Sequence, residues 1–118
     1  MNSYNDTETY CTVPITNGTH VYAEKAEVML WSFALDDAAP AVWDRCSNSL
    51  HSYDDLTGEW TEAPLSPGAM PAELAAQLAD KETLVWFHNG GAFDEPVIMH
   101  AMPEVYALVD EDRWRDTM

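Results

Sequence analysis

The chain has 118 residues, 47% of them hydrophobic, and 21 Asp and Glu residues against five Lys and Arg give it a formal net charge of −16. This length allows one folded domain over 1–118, and the hydrophobic content excludes a disordered chain. No apolar run reaches the roughly 20 residues of a membrane span, and the polar start does not have the pattern of a signal peptide. We therefore expect a soluble protein of the cytoplasm with no membrane partner.

The excess of acidic residues is unusual for a protein that binds DNA, because nucleic-acid-binding domains normally carry a basic stripe. The few basic residues are scattered: Lys25, Arg45, Lys81, Arg113 and Arg115. This charge has two interpretations. Either the chain meets DNA only through metal ions and a basic partner, or the negative charge is itself functional.

The first stretch with a chemical pattern is Asp6-Thr7-Glu8. In an extended segment, residues i and i+2 point to the same face, so Asp6 and Glu8 would present two carboxylates together. Carboxylate pairs suit hard divalent ions such as Mg²⁺ or Mn²⁺. A solvated acidic terminus would have the same composition. Because residues 1–5 are polar, we expect a short or frayed strand here.

The middle of the chain predicts a hairpin, a long loop and a helix. Residues 28–35 and 41–43 are predicted as two strands of the hairpin. Residues 44–70 are rich in turn formers and are predicted as a loop with one short strand at 58–60. Residues 71–80 begin with proline and continue with helix formers, which predicts a helix.

The most informative stretch is the apolar run 84–87, which ends at Asn89-Gly90-Gly91. A short apolar run closed by turn residues is typical of a buried strand. Asp94 in the first turn of segment 93–102 suits the positive end of a helix dipole. The pattern predicts strand, tight turn and helix, with Asp94 at the carboxyl end of a strand, where open sheets bind ligands. A short connector and the start of one more element are predicted to follow.

A family resemblance rests on four blocks of sequence. Asn89-x-x-x-Phe93-Asp94 resembles the second motif of the DEDD-type 3′→5′ exonucleases, the proofreading nucleases with a ribonuclease H-like fold. The run 88–98 is similar to the version of that motif in phage family A DNA polymerases. Asp6-Thr7-Glu8 matches the D-x-E first motif, and segments 22–44 and 113–118 resemble further parts of the same enzymes. The four blocks occur in the family's order.

The resemblance implies an α/β fold with a ribonuclease H-like mixed sheet flanked by helices and incomplete at the C-terminus. It implies that Asp6, Glu8 and Asp94 are catalytic and hold two Mg²⁺ or Mn²⁺ ions, and that Asn89 and Phe93 bind substrate. The implied reaction is two-metal phosphodiester hydrolysis that removes 3′-terminal nucleotides during proofreading. The implied substrate is the 3′ end of single-stranded DNA.

The family's third motif, Tyr-x-x-x-Asp or His-x-x-x-x-Asp, supplies the general base and the fourth carboxylate, and it normally lies well downstream. Tyr106 and Asp110 have this spacing, but they follow Asp94 too closely for the helices and strand that intervene in that fold. Asp110 and Asp116 are therefore weaker candidates for a metal ligand. The missing motif implies a partner chain, either the rest of a polymerase or a second copy that associates through the unfinished sheet.

The alternative function is that of a catalytically inactive acidic phage protein, a DNA mimic or inhibitor that binds a host DNA-processing enzyme. A nuclease should need Asp6, Glu8 and Asp94 together with a divalent ion. A mimic should need none of these residues individually and should bind a basic protein in a salt-sensitive way.

Overall fold

A computed structural model describes residues 1–10, 26–88 and 94–116 of the chain. The strands are β1 (Asn2–Tyr10), β2 (Glu27–Leu35), β3 (Ala41–Asp44), β4 (Ser49–Asp54), β5 (Glu59–Pro64), β6 (Leu84–Phe87) and β7 (Trp114–Asp116). The helices are α1 (Ala72–Ala79), α2 (Glu95–Ala101) and α3 (Pro103–Tyr106), with a 3₁₀ turn at Glu111–Arg113. The predicted α/β class is confirmed. In these three stretches no helix has the length and apolar character that a membrane crossing requires.

All seven strands form one mixed sheet in the order β5-β4-β3-β2-β1-β6-β7. From β1 to β5 each strand is antiparallel to the next, whereas β6 lies parallel to β1 and β7 lies parallel to β6. Parallel neighbours need crossover connections, and here α1 precedes β6 while α2 and α3 connect β6 to β7. As a result β1, β6 and β7 run in one direction, and β6 and β7 end beside the middle of β1.

β1 is a polar strand at a central position in the sheet. Its inward side chains, Ser3, Asn5 and Thr7, are at most 8% exposed. Ser3 Oγ donates to Gln77 Oε1 on α1 at 2.6 Å, and Asn5 Oδ1 accepts from the indole N–H of Trp31 at 2.8 Å. Buried polar groups are tolerated when they are hydrogen-bonded in this way. The expectation of a short or frayed first strand is therefore wrong.

The helices share one hydrophobic core with the inward face of the sheet. Its members include Val28, Phe33, Leu74, Leu78, Val85, Val97, Ile98 and Val105. Aromatic rings cross this core in a continuous row, with centroids 5.5–6.3 Å apart between neighbours: Trp43, Trp31, Phe87, Trp114 and Tyr106. Contacts of this kind add to the stability that area burial provides, and the row joins β3, β2, β6, β7 and α3.

The predicted loop is wrong over 49–64, because β4 and β5 continue the sheet as two further hairpins, although the predicted short strand at 58–60 corresponds to the start of β5. Both four-residue turns follow an aspartate that ends a strand, Asp44 or Asp54, whose carboxylate accepts a backbone N–H two residues later at 2.9 Å. Each turn ends on a residue with positive φ, Asn48 at 51° and Gly58 at 73°. Asparagine and glycine adopt that conformation most readily. The turn formers therefore close hairpins here rather than interrupt the sheet.

The other predicted elements agree with the structure. Three predicted strands correspond to β2, β3 and β6, and both predicted helices correspond to α1 and α2, with ends that differ by two residues at most. The predicted connector contains the single turn of α3, and the final predicted element contains β7.

Candidate functional site

β6 and β7 end level with the middle of β1, and this end of the parallel strands is here called the carboxyl edge. The parallel register pairs Phe87 of β6 with Asp116 of β7 on one side and with the residue before Asp6 in β1 on the other. Asp94 opens α2, the helix that follows β6. Three separate parts of the chain thus bring carboxylates to a single edge, the position at which open α/β sheets bind their ligands.

Asp94 is the most buried carboxylate of the carboxyl edge, with 2% of its surface exposed. The hydroxyl of Thr7 on β1 donates a hydrogen bond to its Oδ1. Although Asp94 occupies the N-cap position of α2, its side chain makes no capping hydrogen bond there. Its hydrogen bond to Thr7 instead ties the start of α2 to the central strand.

The surroundings of Asp94 favour its protonated form. Its pKa is raised from 3.8 to about 6, chiefly because burial removes hydration from the charged carboxylate. The hydrogen bond from Thr7 lowers the pKa, the negative charges of Asp6 and Asp116 raise it, and His88 lowers it. Asp6 and Asp116 are therefore within electrostatic reach of Asp94.

The two carboxylates of the D-x-E pattern point to the exposed face of β1, away from the face that Asp94 contacts. Asp6 and Glu8 are exposed, whereas Thr7 between them is buried, so strand alternation places Asp6 and Glu8 together, as predicted. Asp94 approaches β1 from the covered face, where Thr7 points. Within the three described stretches, no group of three or more His, Cys, Asp or Glu side chains is placed to hold a metal ion. The carboxyl edge gathers negative charge but distributes it across both faces of β1.

The remaining predicted site residues differ in their positions. Asn89 and Phe93 lie outside the described residues. Asp116 is exposed at the end of β7 and acts on Asp94 through its charge. Asp110 is exposed just before the 3₁₀ turn and is not among the groups that shift the pKa of Asp94.

Tyr106, the other half of the Tyr-x-x-x-Asp spacing, is a packed residue. Its ring stacks on Trp114 at 5.5 Å, and its hydroxyl is hydrogen-bonded to Glu95 in the first turn of α2. Burial raises the pKa of Tyr106, and the charges of Glu95 and Glu111 raise it further. Burial also raises the pKa of Glu95. The structure thus gives Tyr106 a role in joining α3, β7 and α2.

Thr7 is the residue of the carboxyl edge that the sequence interpretation missed. It is the middle residue of Asp6-Thr7-Glu8, and strand alternation turns it toward the covered face. A period of two along β1 would have indicated its direction. Its partner, Asp94, is 87 residues away in sequence, so no local pattern identifies the contact.

Basic groups are scarce on the described surface. Arg113 is 4% exposed and donates to the backbone oxygens of Leu78 and Thr83. Arg45 is partly buried, where it lies over the ring of Trp43. Two basic side chains in the described stretches are exposed, Lys81 and Arg115. This surface offers little direct attraction for a polyanion.

Comparisons with protein family models, with curated proteins and with solved structures find no match to this chain. The geometry of the carboxyl edge and the sequence motifs are therefore the basis for a functional proposal.

Proposed function

We propose that the chain is the N-terminal part of a 3′→5′ proofreading exonuclease domain like those of phage family A DNA polymerases. It would act on the 3′ end of single-stranded DNA in the host cytoplasm. The observation that carries the proposal is the carboxyl edge, where Asp6 and Asp116 lie close enough to Asp94 to raise its pKa. Motifs that are far apart in sequence thereby meet at one place in the fold.

The sheet supports a ribonuclease H-like assignment. The sequence segment that resembles the phage enzymes over 22–44 contains β2, antiparallel beside β1, and β3, antiparallel beside β2. The first motif lies on β1, and the last residue of the second motif opens α2 after the parallel neighbour β6. Both motifs therefore occupy adjacent elements, as a shared active site requires.

The donor chemistry fits divalent cations, because Mg²⁺ and Mn²⁺ prefer carboxylate oxygens. Asp6 and Glu8 would hold an ion from the exposed side of β1, and Asp94 would hold one from the covered side. Bound ions would polarise the phosphodiester and lower the pKa of an attacking water. The role of the chain itself is to position the carboxylates: β1 fixes Asp6 and Glu8, and the hydrogen bond from Thr7 fixes Asp94.

The third motif of the family would have to come from elsewhere. Asp116 is better placed than Asp110 to serve as a fourth carboxylate, since it is level with Phe87 at the carboxyl edge. A general base contributes roughly 10²–10⁴-fold to such reactions, so the chain alone should hydrolyse DNA slowly. A partner chain, the rest of a polymerase in the simplest case, would supply this group.

Metal binding at the carboxyl edge is the direct test, because it does not depend on the general base. Mn²⁺ is paramagnetic and broadens the NMR signals of nearby nuclei. We expect selective broadening of the amide signals of Asp6, Glu8 and Asp94. The Asp94→Asn variant should weaken this broadening, and Asp110→Asn serves as the control. Absence of selective broadening at this edge would overturn the proposal.

A digestion assay tests the reaction. A 3′-labelled single-stranded DNA is incubated with the purified chain and Mn²⁺, beside Asp94→Asn, Asp110→Asn and an EDTA control. We expect slow trimming that requires Mn²⁺ and Asp94 but not Asp110. Trimming that survives in Asp94→Asn would point to a contaminating nuclease and count against the proposal.

The scarcity of exposed basic groups favours the second candidate function, an inactive acidic protein that binds a host DNA-processing enzyme. Such binding would weaken steeply with salt. It would also be insensitive to Asp94→Asn, because a buried carboxylate contributes little to a protein surface. Salt-sensitive binding of a DNA-processing enzyme, without Mn²⁺ binding at the carboxyl edge, would favour this alternative.

A further inference from the structure

The β4–β5 hairpin carries an exposed edge that the functional proposal does not use. β5 is the outermost strand on its side of the sheet, and all six of its side chains are exposed. Leu56 in the turn is 94% exposed and Trp60 on β5 is 52% exposed. β5 therefore contributes nothing to the core, and its side chains are available for an intermolecular contact.

The outer edge of β5 also presents backbone hydrogen-bonding groups. In β4, the N–H of Tyr53 donates to the carbonyl of Pro40 at 3.2 Å, away from β5. Tyr53 pairs with Trp60, so this is a pair whose backbone groups point away from each other. The N–H and C=O of Trp60 thus point outward, and strand alternation gives Glu62 the same orientation. No strand in the described part of the chain pairs with this edge.

The charge around this edge is entirely negative. Residues 46–80 contain no Lys or Arg, while the hairpin contains Asp54, Asp55, Glu59 and Glu62. The ring of Trp60 contacts that of Tyr53 at 5.2 Å, which makes an aromatic surface on the same face of β5 as Glu62. The hairpin therefore combines a free strand edge, an aromatic surface and uncompensated carboxylates.

A second copy of this chain is a poor occupant for the edge. Exposed strand edges commonly avoid self-association through charged side chains, and like charges in opposed positions destabilise pairing. Each copy also carries a net charge of −16, which opposes association. The complementary occupant is a positively charged strand.

We propose that β5 is a docking strand for an extended basic segment of another protein, which adds to the sheet as an eighth strand. The backbone of Trp60 and Glu62 would pair with the segment, and strand addition of this kind is a common mode of peptide recognition. Lysine or arginine side chains on one face of the segment would lie beside Glu62 and over the ring of Trp60, and apolar side chains on its other face would lie on the side of Thr61. The proposal is independent of the carboxyl edge and of any nuclease activity.

A capped hexapeptide of alternating lysine and valine is a suitable probe, with a glutamate–valine hexapeptide as its matched control. We expect the lysine peptide to protect the amide protons of Trp60 and Glu62 from hydrogen exchange in the full chain. Added salt should reduce this protection. Equal protection by the glutamate peptide, or protection confined to other parts of the chain, would overturn the proposal.

Two sets of variants separate the backbone and charge contributions. Glu62→Pro removes an outward N–H that β4 does not use, so the fold should persist while peptide binding is lost. Glu62→Gln keeps that N–H and should weaken binding only about twofold to fivefold, as expected for one exposed ion pair. Equal affinities of Glu62→Pro and Glu62→Gln would contradict strand addition.

The charge reversal Glu59→Lys with Glu62→Lys provides the final check. Both side chains are exposed, so the double variant should fold as the parent does. It should bind the glutamate–valine peptide in preference to the lysine–valine peptide. An unchanged preference would show that this edge does not select the peptide, and would overturn the proposal.

Discussion

The hydroxyl of Thr7, on the central strand, donates a hydrogen bond to the buried carboxylate of Asp94 at the start of α2. This contact links the two sequence motifs through a residue that belongs to neither set of predicted ligands. It also opposes the rise in the pKa of Asp94 that burial causes, because a hydrogen bond to a carboxylate stabilises the charged form.

The Thr7→Val variant should therefore raise the pKa of Asp94 above about 6, since it removes the hydrogen bond that lowers it. It should also reduce the free energy of unfolding at pH 7 by roughly 1–3 kcal/mol, because a buried acceptor is left unpaired. NMR titration measures the pKa and urea denaturation measures the stability. Thr61→Val, on exposed β5, is the matched control. A pKa that falls in Thr7→Val would contradict the assigned role.

The raised pKa of Asp94 predicts how stability depends on pH. The folded state binds the proton more tightly than the unfolded state, whose pKa is near 3.8. The Asp94 contribution to the free energy of unfolding should therefore be constant below about pH 4, fall as the pH rises to about 6, and be constant above that. With allowance for solvent screening we expect a fall of roughly 1–2 kcal/mol.

The comparison that isolates this contribution is between the parent chain and Asp94→Asn, because their other acids titrate alike. The difference between their unfolding free energies should shift in favour of Asp94→Asn between pH 4 and 6. Urea denaturation at half-unit pH intervals measures it. A difference that does not change with pH would show that Asp94 titrates normally.

Asn5 and Asn2 form a matched pair that tests the polar interior of β1. Asn5 Oδ1 accepts from the fully buried Trp31 indole at 2.8 Å, whereas Asn2 Oδ1 accepts from the partly buried Trp86 indole at 2.9 Å. Asn5→Ala should reduce the free energy of unfolding by roughly 2–4 kcal/mol, because several buried groups lose partners that water cannot replace. Asn2→Ala should cost about 1 kcal/mol or less. Denaturant midpoints at constant slope measure both, and equal losses would refute this account.

Arg113 and Arg115 form a second matched pair. The buried guanidinium of Arg113 donates to the backbone oxygens of Leu78 and Thr83, which fixes β7 against the end of α1. Lysine cannot reproduce this planar arrangement of donors, so Arg113→Lys should reduce stability by roughly 1–3 kcal/mol. Arg115→Lys, on the exposed side of β7, should change stability by less than about 0.5 kcal/mol. Thermal denaturation distinguishes the two, and a silent Arg113→Lys would contradict a structural role.

The sequence predicted the elements whose patterns are local. The apolar runs of β2 and β6 and the proline that precedes α1 can each be recognised within a few residues of sequence. The position of Asp94 at the end of a strand was predicted from the same kind of signal. Each of these elements packs one face against the core, so its pattern of apolar residues reflects which side chains are buried.

The features that the sequence did not predict in full depend on contacts with residues that are distant in sequence, or make no contact with the core. Ser3, Asn5 and Thr7 look like solvent-exposed residues until Gln77, Trp31 and Asp94 are brought beside them by the fold. Only the start of β5 was predicted, as a short strand at 58–60, because β5 buries no side chain and so lacks the apolar alternation of a half-buried strand. The charge coupling of Asp116 to Asp94 depends on the register of β7, which no pattern of three residues determines.

The complete exposure of β5 has an evolutionary consequence. Substitutions at buried positions are restrained by packing whatever the protein does, but the side chains of β5 lie outside the core and, apart from the contact of Trp60 with Tyr53, are free of that restraint. Selection can act on Glu59, Trp60 and Glu62 chiefly through whatever touches them from outside. In natural variants of this protein these three residues would drift if the strand is unused, and would persist if a partner recognises it.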